Sequence, residues 1–210
     1  MAPGVENVPR PAKRPSLRDQ HKDFTSARLQ EAAIVVFVRR GYQDATIDDI
    51  CAEAGTSRAT FYLHFRSKRD LARVIAERIR PELMAAYASI SELEAPAPDA
   101  VRDWLERVVS AWEHHWDELT VAAQAVRTDP SVAPAYWSDH RHRTVSITER
   151  IAGWGASQPD AELRASVLIA TVERICQVYL DRPHEFDRAA MLDALTRLAL
   201  SQLAAGLPPR

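Results

Sequence analysis

TIDDICAEAGTSRATFYLHF, Thr46 to Phe65, is the stretch from which the rest of the chain can be read. Thr46 is a favourable N-cap, and Asp49 stands where a shortened capping-box carboxylate would. Ile47, Ile50, Cys51 and Ala54 follow the i, i+3, i+4, i+7 spacing of one buried helical face. Gly55 sits where a helix ends through a left-handed residue. Ser57 can cap a second helix, on which Phe61 and Phe65 share one face while Arg58, Thr60, Tyr62 and His64 fall on others. Two short helices joined by a tight glycine-containing turn make a helix-turn-helix, the unit whose second helix enters the DNA major groove.

The longer string GYQDATIDDICAEAGTSRATFYLHFRSKRDL, Gly41 to Leu71, resembles the DNA-binding signature of the TetR family of bacterial transcriptional regulators. The likeness runs back through LQEAAIVVFVRRGY and covers about the first third of the chain. It rests on the ordered set Phe37, Gly41, Tyr42, Thr46, Ile50, Gly55, Ser57, Thr60, Tyr62, Phe65, Lys68 and Leu71. The resemblance implies an all-α protein of about nine helices, with a three-helix N-terminal DNA-binding domain. A long helix then leads to a C-terminal ligand-binding and dimerisation domain. Carried over position by position, Thr46 resembles the residue that hydrogen-bonds a backbone phosphate. Tyr62, His64 and Lys68 match positions that grip phosphate or pack on sugars and thymine methyls. Thr56, Ser57, Arg58 and Thr60 occupy the turn and first turn of the reading helix. Arg58 leads as a base reader, because a guanidinium bonds guanine O6 and N7 bidentately. Ala59 stands where the family often has glycine.

Charge is distributed to suit that reading. The 210 residues carry a net charge of −2. Residues 1–70 nevertheless hold 12 basic against 9 acidic side chains, and residues 71–210 hold 15 against 20. All of the lysines (Lys13, Lys22, Lys68) lie in the first segment. Positive charge is thus biased towards the part expected to meet phosphate. No apolar run approaches the roughly 20 residues that cross a bilayer, the longest being Ala32 to Val38. With no apolar signal core at the N-terminus, a cytoplasmic protein is expected. Cys51 and Cys176 lie far apart in apolar helical contexts and read as buried free thiols.

Residues 1–22, rich in proline and basic side chains, read as a disordered arm, 23–70 as the DNA-binding domain and 71–210 as the C-terminal domain. The first helix is expected from about Thr25 to Arg40, with Leu29, Ala33, Val36 and Phe37 inward and Gly41 ending it. Ser67 caps a long fourth helix, where Lys68 beside free backbone N–H groups suits a phosphate. Pro81 should kink or split that helix near Arg80. Residues 91–99 read as a linker. Helices are then expected from Asp99, over about 117–128, 132–153, Asp160 to Leu180, and 187–205.

The C-terminal half names no ligand. Val101, Trp104, Leu105, Val108, Val109, Trp112 and Trp116 form an aromatic helical face. Each aromatic taken singly reads better as core filling, but the resemblance implies that Trp104, Trp112, Trp116, Tyr136, Trp137 and Tyr179 together line a cavity for a small, largely apolar molecule. The last two helices carry broad apolar faces; the resemblance implies that they form a homodimer interface, to which Leu168, Val172, Ile175, Leu195, Leu198 and Leu203 are assigned, the alternative being that both are central core helices. Among the polar residues interrupting these helices, Arg174 is a candidate for a ligand carboxylate. His114, His115, His140 and His142 raise a metal site, but His140 and His142 are two apart and diverge on a helix, so no metal and no cofactor are assigned. No nucleophile, acid–base pair or metal set converges, so no enzyme is expected. The reading is therefore a dimeric, ligand-responsive repressor on a near-palindromic double-stranded DNA operator. The alternative is a helical dimer that has lost DNA binding and sequesters a small molecule.

Overall fold

The computed structural model describes residues 16–129, 131 and 133–204, with the backbone alone at 18–19 and 133–140. Most of the basic arm, and the side chains of Tyr136, Trp137 and His140, lie outside the described residues. Among the described residues no strand occurs, and the helices are α1 (Leu17–Arg40), α2 (Ile47–Glu53), α3 (Arg58–His64), α4 (Lys68–Ala88), α5 (Pro98–His114), α6 (Trp116–Thr128), α7 (Ala133–Gly153), α8 (Gln158–Asp181) and α9 (Arg188–Leu203). A 3-10 turn, Ser89–Glu92, follows α4. No described helix is long and apolar enough to cross a membrane.

Local chemistry sets the boundaries. Gly41 and Gly55, with φ of 84° and 59°, end α1 and α2 in the left-handed region that other residues rarely enter. Thr46 and Asp49 form a full capping box, Ser57 and Ser67 accept from the third residue of α3 and α4, and Asp187 caps α9 likewise. Two boundaries differ from expectation. α1 begins at Leu17, well before Thr25; Leu17 and Phe24 are exposed there, so that first stretch is helical without a buried stripe to announce it. α5 stops at His114, which moves Trp116 onto α6 and off the aromatic face of α5.

α4 continues through Pro81 as one helix, correcting the expected split. Proline denies the helix one hydrogen bond and crowds the preceding turn. Here the buried row Ile75, Ile79, Leu83 and Tyr87 runs past it on the inner face, while Pro81 itself faces solvent. Packing on both sides of Pro81 keeps α4 a single helix.

Two cores share α4. The head core joins Leu29, Ala33, Phe37, Ile50, Phe61 and Phe65 to Leu71, Ala72 and Ile75 of α4, and also takes Val121 and Ala125 from α6. The second core begins at Ile79 and gathers α5, α7, α8 and α9 around Trp104, Leu105, Ile147, Leu168 and Leu195. The head is therefore not closed at residue 70. Cys51 and Cys176 are both buried and unpaired with each other.

Candidate nucleic-acid interface

α3 is held from behind and bare in front. Phe61 and Phe65 are buried, as expected, with ring centroids 5.8 Å apart. Arg28 of α1 donates to the carbonyls of Ala54 and Gly55, so a guanidinium satisfies the orphan end of α2 and fixes the turn. No local signal in the sequence points to that clamp, because its acceptors lie 26 and 27 residues away. On the other side, Arg58, Ala59, Tyr62 and Leu63 are exposed, Leu63 at 76% and Tyr62 at 50%. Leu63 is an apolar side chain that belongs to neither core.

The expected site residues are held in different ways. Thr56 and Ser57 sit at the turn, and the Ser57 hydroxyl accepts from Thr60 N at 3.1 Å while lying 3.0 Å from Thr60 Oγ1. Arg58 reaches back to α2, where its Nη1 donates to both Asp48 carboxylate oxygens at 3.1 and 2.9 Å. Both partners are more than half exposed, so the pair is weak and exchangeable. Thr46 hydroxyl is committed to Asp49 at 2.7 Å, and these hydrogen bonds hold the Asp49 carboxyl below its ordinary range. His64 is half-buried against Phe65.

Lys68 is the correction. Its Nζ donates to the carbonyls of Tyr42, Gln43 and Ala45 at 2.6, 2.9 and 2.8 Å, and lies 4.8 Å from the Tyr42 ring centre. An ammonium has three donors, and all are used. Lys68 pins the α1–α2 connection instead of offering itself to a phosphate, and burial lowers its pKa.

α6 reaches the head from the other half. Besides Val121 and Ala125 in the head core, Gln124 Oε1 accepts from Tyr42 N at 2.7 Å. Arg69 of α4 pairs with Asp129 just after α6, and Arg78 with Glu118 at 2.9 Å. Between α4, α6, α7 and α8 lies a cavity of about 610 Å³. Its apolar wall includes Leu83, Tyr87, Trp112, Trp116 and Leu119, and Arg174 stands at its edge. Inside, Arg143 grips Glu173 at 2.8 Å with both side chains buried, and the guanidinium lies 5.6 Å from the Tyr87 ring centre. The Thr120 hydroxyl is buried at the wall without a hydrogen-bond partner.

The aromatic side chains expected at a cavity are placed in two ways among the described residues. Trp112 and Trp116 line it; Trp104 and Tyr179 do not. Trp104 is fully buried behind the wall, donating to the Tyr87 carbonyl at 3.3 Å, and Tyr179 lies away towards Glu113. Tyr87, which does line it, was hidden in a stretch read as a connecting helix. The interface assignment is corrected more fully. Leu168, Val172, Leu195 and Leu203 are buried within the chain's own core, and Ile175 and Leu198 pack against it. The outward face of α8 is instead the stripe Leu163, Val167, Ala170 and Arg174, with Leu163 at 65% and Val167 at 42% exposure. On α9, Ala190, Ala194 and Arg197 face outward. In a helix apolar on two sides, periodicity cannot say which side meets the core.

Comparison with known proteins converges on the same architecture. Residues 29–75 match the family model described as bacterial regulatory proteins, tetR family. The uncharacterized HTH-type transcriptional regulator YfiR of Bacillus subtilis is 31% identical over 118 residues, covering 48% of this chain and 58% of that protein. In the first curated relatives the match spans between 27% and 58% of their length. The HTH-type transcriptional activator FasR of Mycolicibacterium smegmatis is 25% identical over 191 residues, 87% of this chain and 84% of that one. A TetR-like transcriptional regulator from Rhodococcus sp. RHA1 superposes with a TM-score of 0.68 at 22% identity, covering 86% of this chain and 96% of the other. The helix-turn-helix region thus matches the tetR family model, and the all-α frame is shared nearly end to end with a solved structure of a TetR-like regulator.

Proposed function

We propose that the chain is a sequence-specific DNA-binding transcriptional regulator that works in the cytoplasm as a dimer and answers to a small, largely apolar molecule. The observation that carries the reading is the bare front of α3, with Arg58, Tyr62 and Leu63 exposed on a helix clamped from behind by Phe61, Phe65 and Arg28. In the major groove, Arg58 leaves Asp48 for a guanine edge and Leu63 meets thymine methyls. Thr56, Ser57 and Thr60 sit at the N-terminal end of α3, within reach of bases and phosphate.

Two copies follow from the size of one head, whose short helix reads only a half-site. The stripe Leu163, Val167 and Ala170 on α8, with the small outward residues of α9, is the face we assign to pairing. The cavity wall of Leu83, Tyr87, Trp112 and Trp116 suits an apolar ligand body, with Arg174 and the Thr120 hydroxyl as polar contacts. A ligand there touches α4 and α6, the two elements that also enter the head core. It shifts operator affinity only insofar as it binds the two head spacings unequally. The sign of regulation in this reading is repression.

The test is selection of genomic fragments by the full chain, then an anisotropy titration of the selected fragment. Nanomolar-range binding that weakens by about 1–3 kcal/mol in Arg58→Ala supports the reading. Binding of a small molecule with no fragment selected would instead identify a sequestering dimer.

A further inference from the structure

Where α4, α5 and α6 meet, three side chains that the DNA-binding reading leaves unused come together. Glu82 stands on the exposed side of α4; His114 closes α5, and His115 immediately precedes α6. On an unbroken helix, neighbouring side chains diverge by about 100°. Here the chain leaves helical geometry at His115, with φ −112° and ψ 24°. The break turns the two rings towards each other, edge to face, with centroids 4.6 Å apart. His115 Nε2 lies 2.8 Å from Glu82 Oε2. One ligand atom from each of Glu82, His114 and His115 falls within 4.8 Å of the other two. Glu82 and His114 also border an open concavity floored by the small residues Ala85, Ala86, Ser110 and Ala111.

We propose that Glu82, His114 and His115 form a binding site for a divalent transition-metal ion of the zinc class. Two imidazoles and one carboxylate are the donor set of three-ligand zinc sites that keep a fourth position open. Nitrogen donors select such an ion over magnesium or calcium, which take oxygen. Zinc–ligand bonds of about 2.0–2.2 Å in a tetrahedron place donor atoms about 3.4 Å apart. The donor atoms, now within 4.8 Å of one another, reach that spacing by rotation of the exposed Glu82 and His114 side chains, the 2.8 Å contact between Glu82 and His115 opening to admit the ion. An ion at His115 Nε2 leaves the ring proton on Nδ1, which faces Glu118 Oε1 at 3.9 Å. The nearby cations do not oppose the ion, because Arg78 is paired with Glu118 and Arg107 with Ser89 and Glu92.

The ion would join α4 to the hinge between α5 and α6, adding a tie beside the Arg78–Glu118 pair. The test uses full-length protein freed of metal with a chelator and titrated with zinc chloride in a calorimeter, with no DNA present. The outcome is thus independent of whether the chain regulates transcription. Expected are one ion bound per chain and a melting temperature raised by zinc. Glu82→Gln and His114→Ala should each weaken binding by more than about tenfold, the loss that even an outer-shell partner can cause. His184→Ala, an exposed histidine elsewhere, should bind as the parent does. Both substituted positions are exposed, and circular dichroism confirms that the variants fold. Absence of zinc binding by the parent, or parent-like binding by both Glu82→Gln and His114→Ala, overturns the proposal.

Discussion

Asp48 decides what Arg58 does when no DNA is present. The carboxylate holds the guanidinium across the face of the helix-turn-helix, so a base edge must compete for it. Asp48→Asn removes that competitor and a negative charge from the DNA-facing surface. Operator affinity should rise, with discrimination among half-sites reduced; a binding titration against matched and mismatched fragments reads both. Lys68 leads to a different expectation. Lys68→Ala strands three carbonyls of the α1–α2 connection, and stability should fall by about 1–3 kcal/mol in denaturant unfolding. A loss of operator affinity with stability unchanged would return Lys68 to the phosphate contacts. The thiols provide a control on packing. Burial pushes the Cys176 thiol up to about 12, and Cys51 is raised for the same reason. A thiol reagent at neutral pH should label neither in the folded chain and both after denaturation.

At the scale of elements, the helix-turn-helix was legible nearly to the residue, because its signals are local: a cap at Thr46, a glycine at 55, a cap at Ser57. Each acts within one turn of where it stands. What escaped depends on distant partners. Nothing near Arg28 reveals that it closes the end of α2, and nothing near Lys68 reveals the carbonyls of residues 42–45. The outward and inward faces of α8 were both apolar in sequence, and only the packing of α7 and α9 separates Leu163 and Val167 from Leu168 and Val172. Pro81 makes the same point within α4. Local rules expect a break, and tertiary packing overrides it. Since Pro81 is exposed and belongs to neither core cluster, Pro81→Ala should stabilise the fold by up to about 3 kcal/mol, seen as a higher melting temperature. An unchanged or lower value would mean that the surrounding core is shaped to a bend.

For the whole molecule, the proposed pairing face and the cavity are the features to test. Val167→Lys places a charge in the middle of the proposed α8 seam. It should convert a dimer into a folded monomer by light scattering, with operator binding lost because each half-site contact is weak alone. Leu168→Ala, one residue away, should instead lower stability by about 2–5 kcal/mol, as a buried leucine does. Trp112 and Trp116 on the cavity wall also make ligand entry observable. Their fluorescence should change on binding of an apolar effector, in step with the change in operator affinity.

The docking of Val121, Ala125 and Gln124 against the head has a practical consequence for anyone recombining such regulators. A head excised as residues 16–75 would carry a bare apolar notch where α6 had been, and the Tyr42 amide would lose its acceptor. Transplanted onto another protein's C-terminal half, it would meet an α6 shaped for a different notch. A working hybrid must therefore exchange the inner face of α6 together with the head, so the interchangeable module is discontinuous in the chain.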